Sequence, residues 1–247
     1  MSKKRIWVEG ALFFVVGAIL YLLFAKEFGY YNDDWYTMYA ARVAGADIFH
    51  EIYSIDRPGR AYVMIPLYLL FKGQPFFYSL SAYLFRVAGA LAFLWLLRLL
   101  WEERKNETLL AAFLFLIYPG FLDMPIAIDF QSHLIGVLMA FLSLGLMVNA
   151  ISADKLWAKA LFWIGSVLLG WGYLSQMEYY IGFEGIRLAI IVLLLRRGNV
   201  SLNKLAKDTL VRWLPYAIVP SGFLFWRLFI FENDRAVTDT SAQLEKL

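Results

Sequence analysis

Cysteine is absent from the 247 residues, which removes any disulfide framework and any thiolate chemistry. Charge is also scarce. Only 17% of residues are charged against 61% hydrophobic, and the mean hydropathy of +0.60 lies far from the balance of a soluble domain. No glycine-rich dinucleotide or phosphate loop occurs, so a nucleotide-binding Rossmann or P-loop unit is not expected. There is no low-complexity segment and no inverted internal repeat of the kind expected of many secondary transporters. No small-residue cleavage site follows the first apolar run, residues 6–24, whose length is near the about 20 residues that cross a hydrocarbon core. That run reads as a retained signal anchor. The net charge of +3 is small and gives no reason to expect a nucleic-acid partner.

What is abundant is apolar and aromatic. Nine Trp, fifteen Tyr and twenty-one Phe supply residues for interfacial belts, where amphipathic rings sit at headgroup depth. The expected class is an all-α polytopic membrane protein, one transmembrane module over residues 1–247. Seven runs are candidates for spans: 6–24, 76–101, 108–118 with its continuation, 132–151, 161–174, 181–195 and 212–231. Lys3, Lys4 and Arg5 precede the first run, and the alternate short loops carry Arg104, Lys105, Lys155, Lys159, Arg196 and Arg197. The positive-inside rule then puts the N-terminus in the cytoplasm and the polar tail 232–247 outside. Two further helices are expected to lie along the surface within the first outer loop, 25–75. One runs from a cap at Asp34 to Gly45, with Trp35, Met38, Tyr39, Arg42 and Val43 at helical spacing; the other covers 61–71, too short to span, and stops at Lys72-Gly73.

The first outer loop carries the residues most suited to chemistry. Asp33 and Asp34 are adjacent, so their charges repel and one is expected to hold its proton more tightly. A carboxylate at a membrane surface can act as general base, and the same pair can equally form a solvated turn and helix cap. Asp56, Arg57 and Arg60 close the passage. The arginines suit a phosphate, or simply headgroups reached by snorkelling. Asp129 and His133, four apart, could share a divalent cation or a substrate, or form a cap and hydrogen-bonded pair. Asp123 is the less favoured acid of that outer turn. Glu184 and Arg187 at i, i+3 are expected to neutralise one another inside a span, while Glu178 at an outer turn could bind a substrate hydroxyl. Arg86 is expected to pair with an acidic loop residue, and Arg227 and Glu9 to reach the membrane surface.

A basic first span, then the run Asp33-Asp34-Trp35-Tyr36-Thr37-Met38-Tyr39-Ala40-Ala41-Arg42, then Asp56-Arg57-Pro58-Gly59 before apolar sequence resumes, resembles the GT-C class of membrane glycosyltransferases. The likeness is to bacterial relatives of protein O-mannosyltransferases and of the lipid A aminoarabinose transferase. Arg57 stands where that class has Lys, and Gly59 where it has a second Pro. The resemblance implies a bacterial inner-membrane enzyme that moves a sugar from a polyprenyl-phosphate carrier to a glycan, lipid or protein hydroxyl on the outer face, with inversion. Asp33 would be the base, with Asp34 beside it. Arg57 and Arg60, with Asp56, Glu178 and Tyr36, would bind substrate, and Asp129 would lie near the active site or a cation. Members of the class usually continue past the seventh span, which implies a further subunit or C-terminal region. Two other readings stay open, a flippase for lipid-linked saccharides and a non-catalytic membrane subunit.

Overall fold

The computed structural model describes residues 3–118, 126–196, 198 and 201–231, and among these the chain is all-helical, with no strand. Eleven α-helices follow in order among the described residues: α1 (Lys3–Tyr21), α2 (Asp33–Ala44), α3 (Ile48–Ser54), α4 (Ala61–Phe71), α5 (Pro75–Leu100), α6 (Lys105–Ile117), α7 (Gln131–Ser152), α8 (Leu156–Gln176), α9 (Phe183–Arg196), α10 (Leu202–Trp213) and α11 (Ile218–Phe229). Asp123, Arg197, the Pro119-Gly120 break and the tail 232–247 lie outside the described residues.

Local chemistry sets several boundaries. Gln74 is extended because it precedes Pro75, whose ring then opens α5 at its first turn. Tyr118 is extended for the same reason, preceding Pro119, and α6 ends there. Lys72 turns into positive φ and stops α4 before Gly73. The bundle is built around α7, which packs on α5 on one side and on α8 on the other. One apolar core joins α1 to α6 with Ala127, Ile128 and Leu134, a second joins α5, α7 and α9, and a third joins α7, α8 and α11.

Among the described residues two helices, α5 and α7, are long and apolar enough to cross a membrane. The last apolar run, 212–231, is not one helix. It breaks after Trp213 into a short 3-10 turn holding Pro215, and resumes as the 12-residue α11, about 18 Å long. The apolar stripe of α2 is split: Asp34, Thr37, Met38 and Ala41 are buried, while Trp35, Tyr39 and Val43 are 62%, 70% and 70% exposed. The same outward display of large apolar side chains recurs on α1, on α8 at Leu161, Ile164 and Leu168, and on α11. Glu9 does not reach for water. Arg5 and Arg98 pair with it at 2.7 and 2.8 Å, and Arg5 also donates to Asn106, tying together one end of α1, α5 and α6.

Candidate functional site

The candidate site lies at the other end of those helices, where α2 begins, α7 begins and α8 ends. The four residues Arg57 to Arg60 separate two clusters of charge.

On one side stands Asp34. Its position on the inward face of α2 leaves it 1% exposed, whereas its neighbour Asp33, about 100° round the helix, is exposed. The Asp34 carboxylate accepts the Asp129 backbone N–H at 3.0 Å and, more weakly, the Tyr31 N–H at 3.5 Å. Burial is the main influence on its acidity, and the nearby Asp129 and Asp33 charges act in the same direction. Against the lowering effect of the two backbone N–H groups, these push the pKa up to about 7. The carboxylate is therefore poised to exchange a proton near neutral pH, which an ordinary exposed aspartate is not.

Asp129 is held by Arg60, whose guanidinium pairs with the carboxylate and also donates to the Asp129 carbonyl at 2.9 Å. Arg60 is itself buried. It donates to the Ser132 hydroxyl at 3.3 Å and lies 4.6 Å from the centre of the Tyr53 ring. Burial likewise pushes the Tyr53 phenol up to about 12, with Asp129 and Asp34 adding to the rise and Arg60 opposing it, so it stays protonated. The expected helical face shared by Asp129 and His133 does not form, because Asp129 sits in the turn before α7. Its carboxylate goes to Arg60, while the His133 ring stacks on Phe130 at 4.5 Å. Among the described residues no group of three or more His, Cys, Asp or Glu side chains is arranged to hold a metal ion.

Across the turn, Arg57 grips Glu178 in a two-pronged pair, Nε to Oε2 at 2.9 Å and Nη2 to Oε1 at 3.0 Å. The hydrogen bonds hold the Glu178 carboxyl below its ordinary range and raise Arg57 above its own. Glu178 is thus engaged by Arg57 rather than facing Asp34. Arg227 donates to the Asp56 carbonyl at 2.8 Å instead of reaching for the membrane surface. Beside this cluster opens a cavity of about 390 Å³. Asp56, Arg57, Glu178 and Arg227 form its charged end, and Tyr62, Trp171, Leu174, Phe223 and Trp226 supply the rest of its wall.

Tyr36 takes no part in either cluster, being 64% exposed on the outward face of α2. Arg86 is buried in α5 against the rings of Tyr21 and Phe115. Sequence reasoning missed Gln131, Ser132 and Tyr53, and the packing role of Gly59. Gln131 is fully buried: its amide donates to the Tyr78 and Ala127 carbonyls, both at 2.8 Å, and accepts from Ser81 at 3.0 Å, fixing the Asp129 turn against α5. The available signal was its place as the first, polar residue of a long apolar helix. Gly59 lets the Arg57–Arg60 turn touch α8, and a methyl there would sit 2.3 Å from the Ser175 carbonyl oxygen. The neighbour is backbone and cannot step aside. Gly59→Ala is expected to destabilise the fold by roughly 1–3 kcal/mol in detergent melts and to loosen both charge clusters together. Gly59→Ala melting like the native chain would contradict that packing. No protein-family model, no curated protein and no solved structure matches this chain.

Proposed function

We propose that this chain is a multi-pass membrane glycosyltransferase that takes its sugar from a polyprenyl-phosphate carrier, with Asp34 as the general base. The observation that carries the reading is the two-ended cavity beside Arg57, with two arginines and two acids at one end and aromatic and aliphatic walls along the rest. A lipid phosphate has the same division of chemistry. Arg57 and Arg227 meet the phosphate, Trp171, Trp226 and Phe223 meet isoprene units, and Asp56 and Glu178 are placed to accept from sugar hydroxyls.

The membrane setting draws support from α5 and α7 and from the outward apolar stripes of α1, α8 and α11, which would be costly against water. Seven crossings, with α2 and α4 along the outer surface, accommodate that display. The basic cluster around Arg5 and Arg98 would then face the cytoplasm and the site the outer leaflet of a bacterial inner membrane. In the reaction, Asp34 accepts the proton of an acceptor hydroxyl as its oxygen bonds to the anomeric carbon. The bond from that carbon to the phosphate oxygen breaks on the opposite side, and the electron pair leaves on the lipid phosphate. Configuration inverts, and the departing charge is met by arginine. Arg60 and Asp129 are positioning residues that hold the base.

One observation favours a second reading, a flippase or binding subunit: Asp34 is buried and does not line the cavity. The two are separated by assaying donor binding and sugar transfer on the same nanodisc preparation. Trp226→Ala and Arg57→Gln are each expected to weaken binding of a short polyprenyl-phosphate sugar about tenfold or more. Binding unchanged in both variants would remove the donor site altogether. Binding lost without any transfer by the native chain, across glycan, lipid and peptide acceptors, would leave the second reading.

A further inference from the structure

A second cavity, of about 360 Å³, lies between α2 and α4, away from the one assigned to the donor. Arg42 and Lys72 both line it, no carboxylate does among the described residues, and Tyr39, Tyr68 and Trp35 complete much of its wall. Neither of these exposed cations has an ion-pair partner among the described residues, although the buried and half-buried arginines Arg57, Arg60 and Arg227 are engaged. Two cations that line one concavity with no acid in its wall repel, weakly through water, and together favour an anion.

The backbone gives an independent sign. Among the described residues only two non-glycine residues have positive φ, Asn32 (φ 47°, ψ −123°) and Lys72 (φ 52°, ψ −136°). Both adopt a region suited to glycine, and both sit on the loops that bound this cavity. Lys72 itself lines the cavity, its ammonium 6.0 Å from the centre of the Tyr68 ring. The Tyr30 hydroxyl donates to the Gly73 carbonyl and latches the two loops together.

We infer that this cavity binds a phosphate group, held by the Arg42 fork and the Lys72 point charge, with the Tyr39 and Tyr68 hydroxyls as further donors. The phosphate could belong to a membrane lipid headgroup or to a free phosphate ester, and both present the same oxygens. This goes beyond the proposed transferase, since it assigns a second ligand and leaves the donor cavity untouched.

The test uses the full chain. In one arm, chain reconstituted in phosphatidylcholine nanodiscs is titrated with inorganic phosphate by calorimetry. In the other, chain purified from phosphatidylcholine and phosphatidate mixtures is examined by native mass spectrometry for retained phosphatidate. Arg42→Gln and Lys72→Gly are each expected to lower binding about tenfold. Glycine keeps the Lys72 backbone while removing its ammonium, and both side chains are exposed, so the variants fold. Response to inorganic phosphate supports a free phosphate ligand, and retention of phosphatidate alone supports a headgroup. Failure of both probes, or binding that survives in the double variant, overturns the site. Because the readout is binding, the outcome does not depend on whether the chain transfers sugar.

Discussion

Replacing Asp34 by asparagine is expected to stabilise the folded chain at pH 8 and, on the proposed function, to lower sugar transfer by roughly 10²–10⁴-fold. The stability effect follows from the pKa. Asp34 is raised to about 7 by burial, above the ordinary aspartate value of about 3.9 that it regains on unfolding. Between those values the folded state holds a proton that the unfolded state has lost. Stability is therefore fully present below about pH 4, falls as pH climbs toward 7, and is flat above. The penalty at pH 8 is roughly 2–4 kcal/mol, and a neutral amide of the same shape escapes it while still accepting the Asp129 N–H. Melting curves of the native chain should thus flatten with pH in Asp34→Asn, and the transfer rate of the native chain should rise to a plateau above about pH 7. Asp33→Asn is the control. That side chain is exposed, so transfer should change by no more than about twofold. An Asp34→Asn variant that is both less stable and fully active would remove the base from the mechanism.

The contrast between these two neighbours marks where sequence reading stopped. An adjacent acidic pair is legible, and the resemblance implies a third acid, Asp129, near the same site; Asp34 accepts the Asp129 backbone N–H. Which member turns inward depends on which face of α2 is covered, and the sequence pattern did not decide it. Trp35, Tyr39 and Val43 form an apolar stripe that in water would mark the core. On the membrane reading an apolar stripe can face lipid, and the polar face, with Asp34 and Thr37, packs inward instead. The α4 helix, by contrast, has the bounds its sequence suggests, because Arg60 and Lys72-Gly73 interrupt the apolar run at both ends. The α7 helix extends one residue beyond the apolar run at each end. Contacts between distant segments carried no local signal. The Arg57–Glu178 grip spans 121 positions and the Arg5, Glu9 and Arg98 cluster joins α1 to α5.

The Glu184–Arg187 pair was legible from spacing alone, but its surroundings set how much it should matter. Arg187 is 0% exposed and donates from Nε to Glu184 at 3.0 Å, from Nη1 to Ser166 at 3.1 Å and from Nη2 to Ser143 at 2.9 Å. Glu184 also accepts from Tyr173 at 2.6 Å and Trp213 at 3.3 Å, and the Arg187 guanidinium lies 4.9 Å from the centre of the Tyr216 ring. One ion pair therefore joins α7, α8, α9 and α10. Two effects compete in predicting the cost of cutting it. If the hydrogen bonds dominate, Arg187→Met should cost little more than Ser143→Ala, about 0.6–1.7 kcal/mol, the range for polar contacts between helices in a membrane. If the uncompensated Glu184 charge dominates, Arg187→Met should cost roughly 3–5 kcal/mol. The second is expected, because the Tyr173 and Trp213 donors at Glu184 carry no full positive charge. The Glu184→Met/Arg187→Met double variant should then recover most of the loss, since apolar side chains of similar volume replace both charges at once. Reversible unfolding in mixed micelles measures all four proteins. A double variant as unstable as Arg187→Met alone would assign the stability to the hydrogen-bond network across the four helices rather than to charge balance.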